Sequence, residues 1–519
     1  MRFLLSFTLL CLLHCSLTAL TAAGKGELEI RAVDKDTGRP IAVRMHLKDA
    51  RGKAVKPPKT PSWNDHFAFA GILVLELPAG NYTFEMERGL EYRTQTGYFT
   101  LKDRDADNKT VEMQRFIDMT KEGWWSGDLY IDRPAKEIEL LMLADDLHVA
   151  PLIAWGTPPS IQRKSSTAAK AVTVLQPDDA PPKSVRFDKN RFYGPLAGRD
   201  ERAGGPLLLF NLPQPLATEM LHPEYPSAVD LLKQARREPG KHVDAPRPFA
   251  WDLPVWVAGG LIDSIGLAND HQQRDGMQMP EIGRPRDSVL YPSKTDNGRW
   301  SQAIYYHLLN CGLRLPPTGS SGTGVVSSPL GYNRVYVHCD EELTWDSWWE
   351  NLRRGRVVVT NGPLLQPRVN GELPGHVFQA DIGQTLELNI ALNLSTREKI
   401  DYLEVVKDGR VEHEVRLDEW AKAGGMLPTL KFDRSGWMLV RARTSNPQTF
   451  RFATTGPYYV EVGYEPRISK ASAQFFVDWV LERARQIQLD DPEQRAEVLK
   501  YHRAARDFWQ KKLDAANAD

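Results

Sequence analysis

Apolar and polar positions alternate from residue 26 onward, and the alternation predicts short strands joined by tight turns. GELEIRAVDKDTGRPIAVRMHLKD (26–49) alternates on both sides of the turn Asp36-Thr37-Gly38-Arg39-Pro40, and LVLELPAGNYTFEMERG (73–89) does so around Pro78-Ala79-Gly80-Asn81. Residues 26–114 therefore read as a β-sandwich. Between 116 and 363 the pattern changes to apolar runs separated by helical spacing, as in a (β/α) barrel. Strands are expected at Ala171–Leu175, Pro206–Leu212, Leu261–Ala268, Arg334–His338 and Val357–Thr360, and helices at Pro226–Arg237, Trp300–Leu313 and Thr344–Arg354. Residues 366–462 return to alternation and predict a second, smaller sandwich. Two charged amphipathic helices follow within 469–513, with Phe475, Trp479, Leu499 and Trp509 as their packing residues.

One strand-helix-strand unit organises the central part. Asp128–Ile131 suits a buried strand, Pro134 opens a helix whose Ile138, Leu141 and Met142 share a face, and Val149–Trp155 is a second apolar run. The short return predicts parallel strands joined by a right-handed crossover, which puts Tyr130 and Asp132 at the carboxyl end of the first strand. Residues 156–204, polar and proline-containing, are expected to form a lid or a disordered loop.

Composition narrows the partners. Lys and Arg number 66 against 67 Asp and Glu, with no basic stripe, which argues against nucleic acid. Arg2, the apolar run Phe3–Leu13 and the small residues Thr21-Ala22-Ala23 predict a signal peptide over 1–23, hence a secreted or periplasmic mature chain with no transmembrane segment. Cys11 and Cys15 leave with that peptide. Cys311 and Cys339 remain, as one bridge or as two buried thiols, and too few to build a cysteine metal site.

The words WWSGDLYIDRP, LADDLHVAP, GYNRVYVHCDEE and GRVVVTNGPLL resemble the CehA/McbA-type metallohydrolases of the polymerase and histidinol phosphatase (PHP) superfamily. The N-terminal sandwich resembles the transthyretin-like regulatory domain of carboxypeptidases. The resemblance implies an α/β fold with a PHP-like barrel over 116–363, flanked by the two β-rich parts, and metal-assisted hydrolysis of a small-molecule ester or phosphoester. It also implies ligand positions at which this chain departs. The family's His-x-His strand end falls on Tyr130 and Asp132, its Asp-His word on Trp155-Gly156, and its Ser-Asp-x-His word within Gly319–Gly324. Of these, Asp132 alone keeps a metal-binding residue type.

Other ligand candidates are Asp270 and His271, which end the run LIDSIGLAND, and His222, beside Glu224 in LHPEYP. Asp and Asn also serve as ordinary strand-ending turn residues, and His222 with Glu224 also reads as a loop and cap. Asp252 reads as a helix N-cap and His148 as structural. At most one weakly bound divalent ion is expected. Tyr130, Trp155 and Trp251 form an aromatic group that either fills an emptied site or offers a stacking platform to a carbohydrate. No Gly-x-Ser-x-Gly elbow, His-Glu-x-x-His helix or phosphate-binding Gly-x-x-x-x-Gly-Lys loop is present. Two readings follow: a hydrolase with a largely lost metal site, and a non-catalytic extracellular binding or scaffold protein.

Overall fold

A computed structural model describes residues 24–156, 183–216, 222–278 and 283–519. The protein is mixed α/β and rich in strands, with several sheets. In the N-terminal part, strand Lys25–Asp34 lies between Ile72–Pro78 and Ala106–Met113. This sheet covers a five-stranded one ordered Ser62–Trp63, His66–Phe69, Val43–Asp49, Gly80–Glu87, Gln95–Leu101. The alternation is realised directly: Leu28, Ile30 and Ala32 point inward, while Glu27, Glu29 and Arg31 are less buried. Tyr82 stacks on Phe99 with ring centroids 5.1 Å apart within that core.

A long sheet carries the centre of the molecule. Its order runs Pro317–Gly319, Ser264–Ala268, His242–Ala245, Leu207–Phe210, Arg191–Asp200, Val149–Gly156, Trp124–Gly127, Arg334–His338, Val357–Thr360, and then through Phe452–Thr455 into the C-terminal strands. Around its first seven members, all but Leu207–Phe210 run in one direction, so six carboxyl ends lie on one side. Among the described residues no continuous ladder closes this path into a barrel.

Helix Ala135–Ala144 follows Pro134, and strand Val149–Gly156 runs parallel to Trp124–Gly127, as the apolar spacing predicts. The first strand lies earlier than expected, at Trp124–Gly127, and residues 128–132 continue it through Ile131, which bridges in parallel to Leu152 on one side and Thr323 on the other. A second difference concerns 156–204. Val185–Asp188 and Arg191–Asp200 are strands, and the latter is an interior member of the sheet, so residues 185–200 form neither a lid nor a disordered loop, and residues 157–182 lie outside the described residues. The expected strand Ala171–Leu175 lies outside the described residues.

Arg334–His338 and Val357–Thr360 fall on their expected ranges, and helix Trp345–Arg353 starts from a capping box between Thr344 and Ser347. Helices Lys470–Gln486 and Pro492–Asp514 are capped by Ser469 and Asp491 and lie against helices Leu253–Ala258 and Asp296–Asn310. Trp509 stacks on Phe476 at 4.3 Å, and its indole N–H donates to the Pro254 carbonyl at 2.9 Å. Trp479 and Trp509 are fully buried, so the helix pair belongs to the main core. No helix is long and apolar enough to cross a membrane among the described residues.

Candidate functional site: an arginine and carboxylate cluster at the strand ends

Residues 128–132 are held on both sides by backbone bonds. Leu129 N–H donates to Gly319 O (3.1 Å) and Asp132 N–H to Thr323 O (2.8 Å), while Ile131 O accepts from Ile153 N–H (2.8 Å). The Asp128 carboxylate, wholly buried, fixes the start of this segment by accepting the N–H groups of Tyr130 (3.1 Å), Ser321 (2.9 Å) and Gly331 (2.8 Å). Burial raises Asp128 to about 6, and these three donors act in the opposite direction. Gly324, at φ 95°, passes so close to the Asp132 carbonyl that an added Cβ would lie 1.8 Å from it.

Three neighbouring elements then supply charge. Arg199 and Glu201 end strand Arg191–Asp200, Arg247 follows His242–Ala245, and Asp270 with His271 follows Ser264–Ala268. The Tyr130 hydroxyl donates to Glu201 Oε1 and accepts from Arg199 Nη1 at 3.2 Å. Arg199 Nη1 also pairs with Asp132 Oδ2 at 2.8 Å. Arg247 grips Asp270 with Nε and Nη2. Burial raises Tyr130 well above the ordinary phenol value, and the Glu201 carboxylate adds to the effect, so Tyr130 is a neutral hydrogen-bond donor. Burial also raises Asp132, against the opposing charge of Arg199. For Asp270 burial works against the charge, but the Arg247 guanidinium outweighs it and holds the carboxyl below the usual range.

These residues do not fit a metal centre. A divalent ion needs carboxylates and neutral imidazoles free to converge, whereas Asp132 and Asp270 are each committed to a guanidinium. His271 turns its ring edge-on to Phe249 at 5.1 Å, and burial, aided by the charge of Arg247, lowers it to about 4. His222 sits in a loop where its Nδ1 accepts the Glu224 N–H (3.2 Å), while Glu224 itself pairs with Arg483. Among the described residues, the groups of His, Asp and Glu close enough to share an ion lie in the N-terminal sandwich and not at these strand ends.

The aromatic candidates are mostly interior. Tyr130 has no exposure and Trp155 only 3%, so neither presents a face for stacking, while Trp251 is half-buried against the main core. The Trp155 ring packs against Gly198, where an added Cβ would stand 2.1 Å from it, so packing of that indole depends on the glycine. Asp252 makes no cap bond. It accepts from Arg483 Nε at 2.7 Å and so ties the first C-terminal helix to the centre. His148 is structural as expected, hydrogen-bonded to Ser126 Oγ at 2.9 Å. Arg199, Glu201 and Arg247 escaped the sequence reading, and the one signal for the first two is the charged word Arg199-Asp200-Glu201-Arg202.

No family model matches the chain, and no curated protein matches it. Among solved structures it is similar to one described as "The Bacillus anthracis TIE protein", with 24% identity, 21% of this chain and 19% of that chain covered, and a TM-score of 0.15. The match thus spans about a fifth of that chain.

Proposed function

We propose that this chain is an exported, non-hydrolytic relative of the PHP-type metallohydrolases, in which two arginines stand where the family's metal ions would neutralise carboxylates. One observation carries the reading: Asp132 and Asp270, the carboxylates nearest the family's ligand places, are paired with Arg199 and Arg247. A guanidinium supplies positive charge and directed donors but has no open coordination position, so it cannot activate a bound water as a divalent ion does. The barrel-like reading of residues 116–363 is supported by the six co-directional strands and by the bonds from Leu129 and Asp132 to Gly319 and Thr323.

The role left to such a scaffold is extracellular binding. Asp132 and Arg247 keep 27% and 17% side-chain exposure, which gives a small polar ligand, a carbohydrate among them, a charged edge to hydrogen-bond. Ester or phosphoester hydrolysis would require both ion pairs to open. The test is an assay of the mature protein on p-nitrophenyl acetate and bis-p-nitrophenyl phosphate, with Mn²⁺, Zn²⁺ or Fe²⁺ added in turn. No turnover above the protein-free rate is expected. Metal-dependent turnover that disappears in Asp270→Asn would overturn the proposal.

A further inference from the structure

The N-terminal sandwich contains a second cluster that the strand-end reading does not use. His46 and His66 are directly opposite each other on the adjacent strands Val43–Asp49 and His66–Phe69, so the sheet register itself puts the two imidazoles on one face. Their ring centroids are 5.2 Å apart at an interplanar angle of 44°. Asp65 ends the tight turn after Trp63, in which Asn64 adopts φ 47°, and its carboxylate reaches back to both rings. Oδ2 lies 3.0 Å from His46 Nδ1 and Oδ1 lies 3.3 Å from His66 Nδ1, and one ligand atom from each of the three residues falls within 4.8 Å of the others.

The polar bonding of this cluster is incomplete as protein alone. If His46 donates Nδ1–H to Asp65, its Nε2 is left as a bare acceptor, and that atom is buried without a hydrogen-bond partner, 3.9 Å from the Glu87 carboxylate. Two acceptors then face each other in the interior, an arrangement that costs free energy. An ion on Nδ1 reverses this: the proton moves to Nε2, which then points an N–H at Glu87. Metal-ligating histidines commonly hand their second N–H to a carboxylate in this way. The surrounding charges leave Asp65 available. Arg44 is engaged by Glu87 and Asp145, and Arg274 by Glu85, whereas the ion-pair partners of Asp65 among the described residues are the two histidines.

The geometry points to a divalent transition-metal site formed by His46, Asp65 and His66, with Glu87 orienting His46 from behind. Two imidazoles and one carboxylate suit zinc, cobalt, nickel or iron(II) rather than calcium or magnesium. The histidines are 3% and 5% exposed, while the Asp65 side chain keeps 23%, so solvent completes the coordination shell on that side. An ion here would clamp the hairpin 62–69 to strand Val43–Asp49. That hairpin also reaches the central part, since the Trp63 indole N–H donates to Val326 O at 2.6 Å.

The test uses the full mature chain, stripped with chelator and titrated with Co²⁺ followed by visible absorption, and with Zn²⁺ by calorimetry. Saturation at a single equivalent is expected, with affinity falling at least ~100-fold in His66→Ala and in Asp65→Asn, and by ~10–100-fold in Glu87→Gln. Asp270→Asn should bind as the unaltered chain does, which separates this site from the strand-end cluster. Unchanged melting and circular dichroism in Asp65→Asn would show that its lost binding is not lost folding. Absence of saturable binding by the unaltered, folded chain overturns the site. Binding retained in His66→Ala overturns it as well.

Discussion

Arg247 holds Asp270 through two parallel hydrogen bonds, Nε to Oδ1 at 2.9 Å and Nη2 to Oδ2 at 2.5 Å, at the carboxyl end of strand Ser264–Ala268. Asp270 has no solvent exposure, so its charge depends on this partner. Arg247→Ala should cost about 3–5 kcal/mol, the usual penalty for leaving one member of a buried pair behind. Replacing both residues together, Arg247→Met with Asp270→Leu, should recover most of that loss. Urea unfolding midpoints of the single and double variants measure the difference.

The C-terminal helices give a pH-dependent prediction. Burial opposes the charge of Asp252, but Arg483 and His502 outweigh it and hold the carboxyl well below the usual range. A carboxylate depressed in the folded state contributes stability above its unfolded value of about 3.9 and loses it as pH falls toward the folded value. The melting temperature should therefore drop as pH falls from about 5, in the range where the unfolded chain takes up this proton first. Arg483→Ala should lower stability at pH 7 by about 3–5 kcal/mol, because Asp252 and Glu224 both lose their guanidinium. The variant should also show a shallower acid limb. Melting curves at several pH values, with and without the substitution, test both statements.

Cys311 and Cys339 are free and buried, which selects two thiols over a bridge. Burial raises each thiol to about 12, so neither carries appreciable thiolate at neutral pH. Both should resist Ellman's reagent in the folded chain and react together once it is denatured. Rapid reaction of either in the native state would contradict their burial.

The sequence was most legible where a segment's own pattern decided its structure. VYV and VVV between polar ends read directly as interior strands, and the two terminal helices followed from their amphipathic spacing. Arg191–Asp200 was lost because Gly194, Pro195 and Gly198 together with its charged ends imitate a loop, although Gly198 is there to admit Trp155. The strand-end site was half legible. Tyr130, Asp132 and Asp270 could be placed at the carboxyl ends of strands, but the partners that settle their chemistry, Arg199 and Arg247, come from other strands far along the chain. His46 and His66 were invisible as a pair for the same reason, since only the register of two strands brings them opposite.

On the proposed function, Arg199 and Arg247, and not ions, neutralise the strand-end carboxylates. Anomalous diffraction from crystals soaked in Mn²⁺ or Zn²⁺ locates any bound ion directly. No peak should lie near Asp132 or Asp270, with Arg199 and Arg247 still paired to them, and the one protein-bound peak should fall at His46, Asp65 and His66. A peak coordinated by Asp132 or Asp270, with either arginine displaced, would contradict the account.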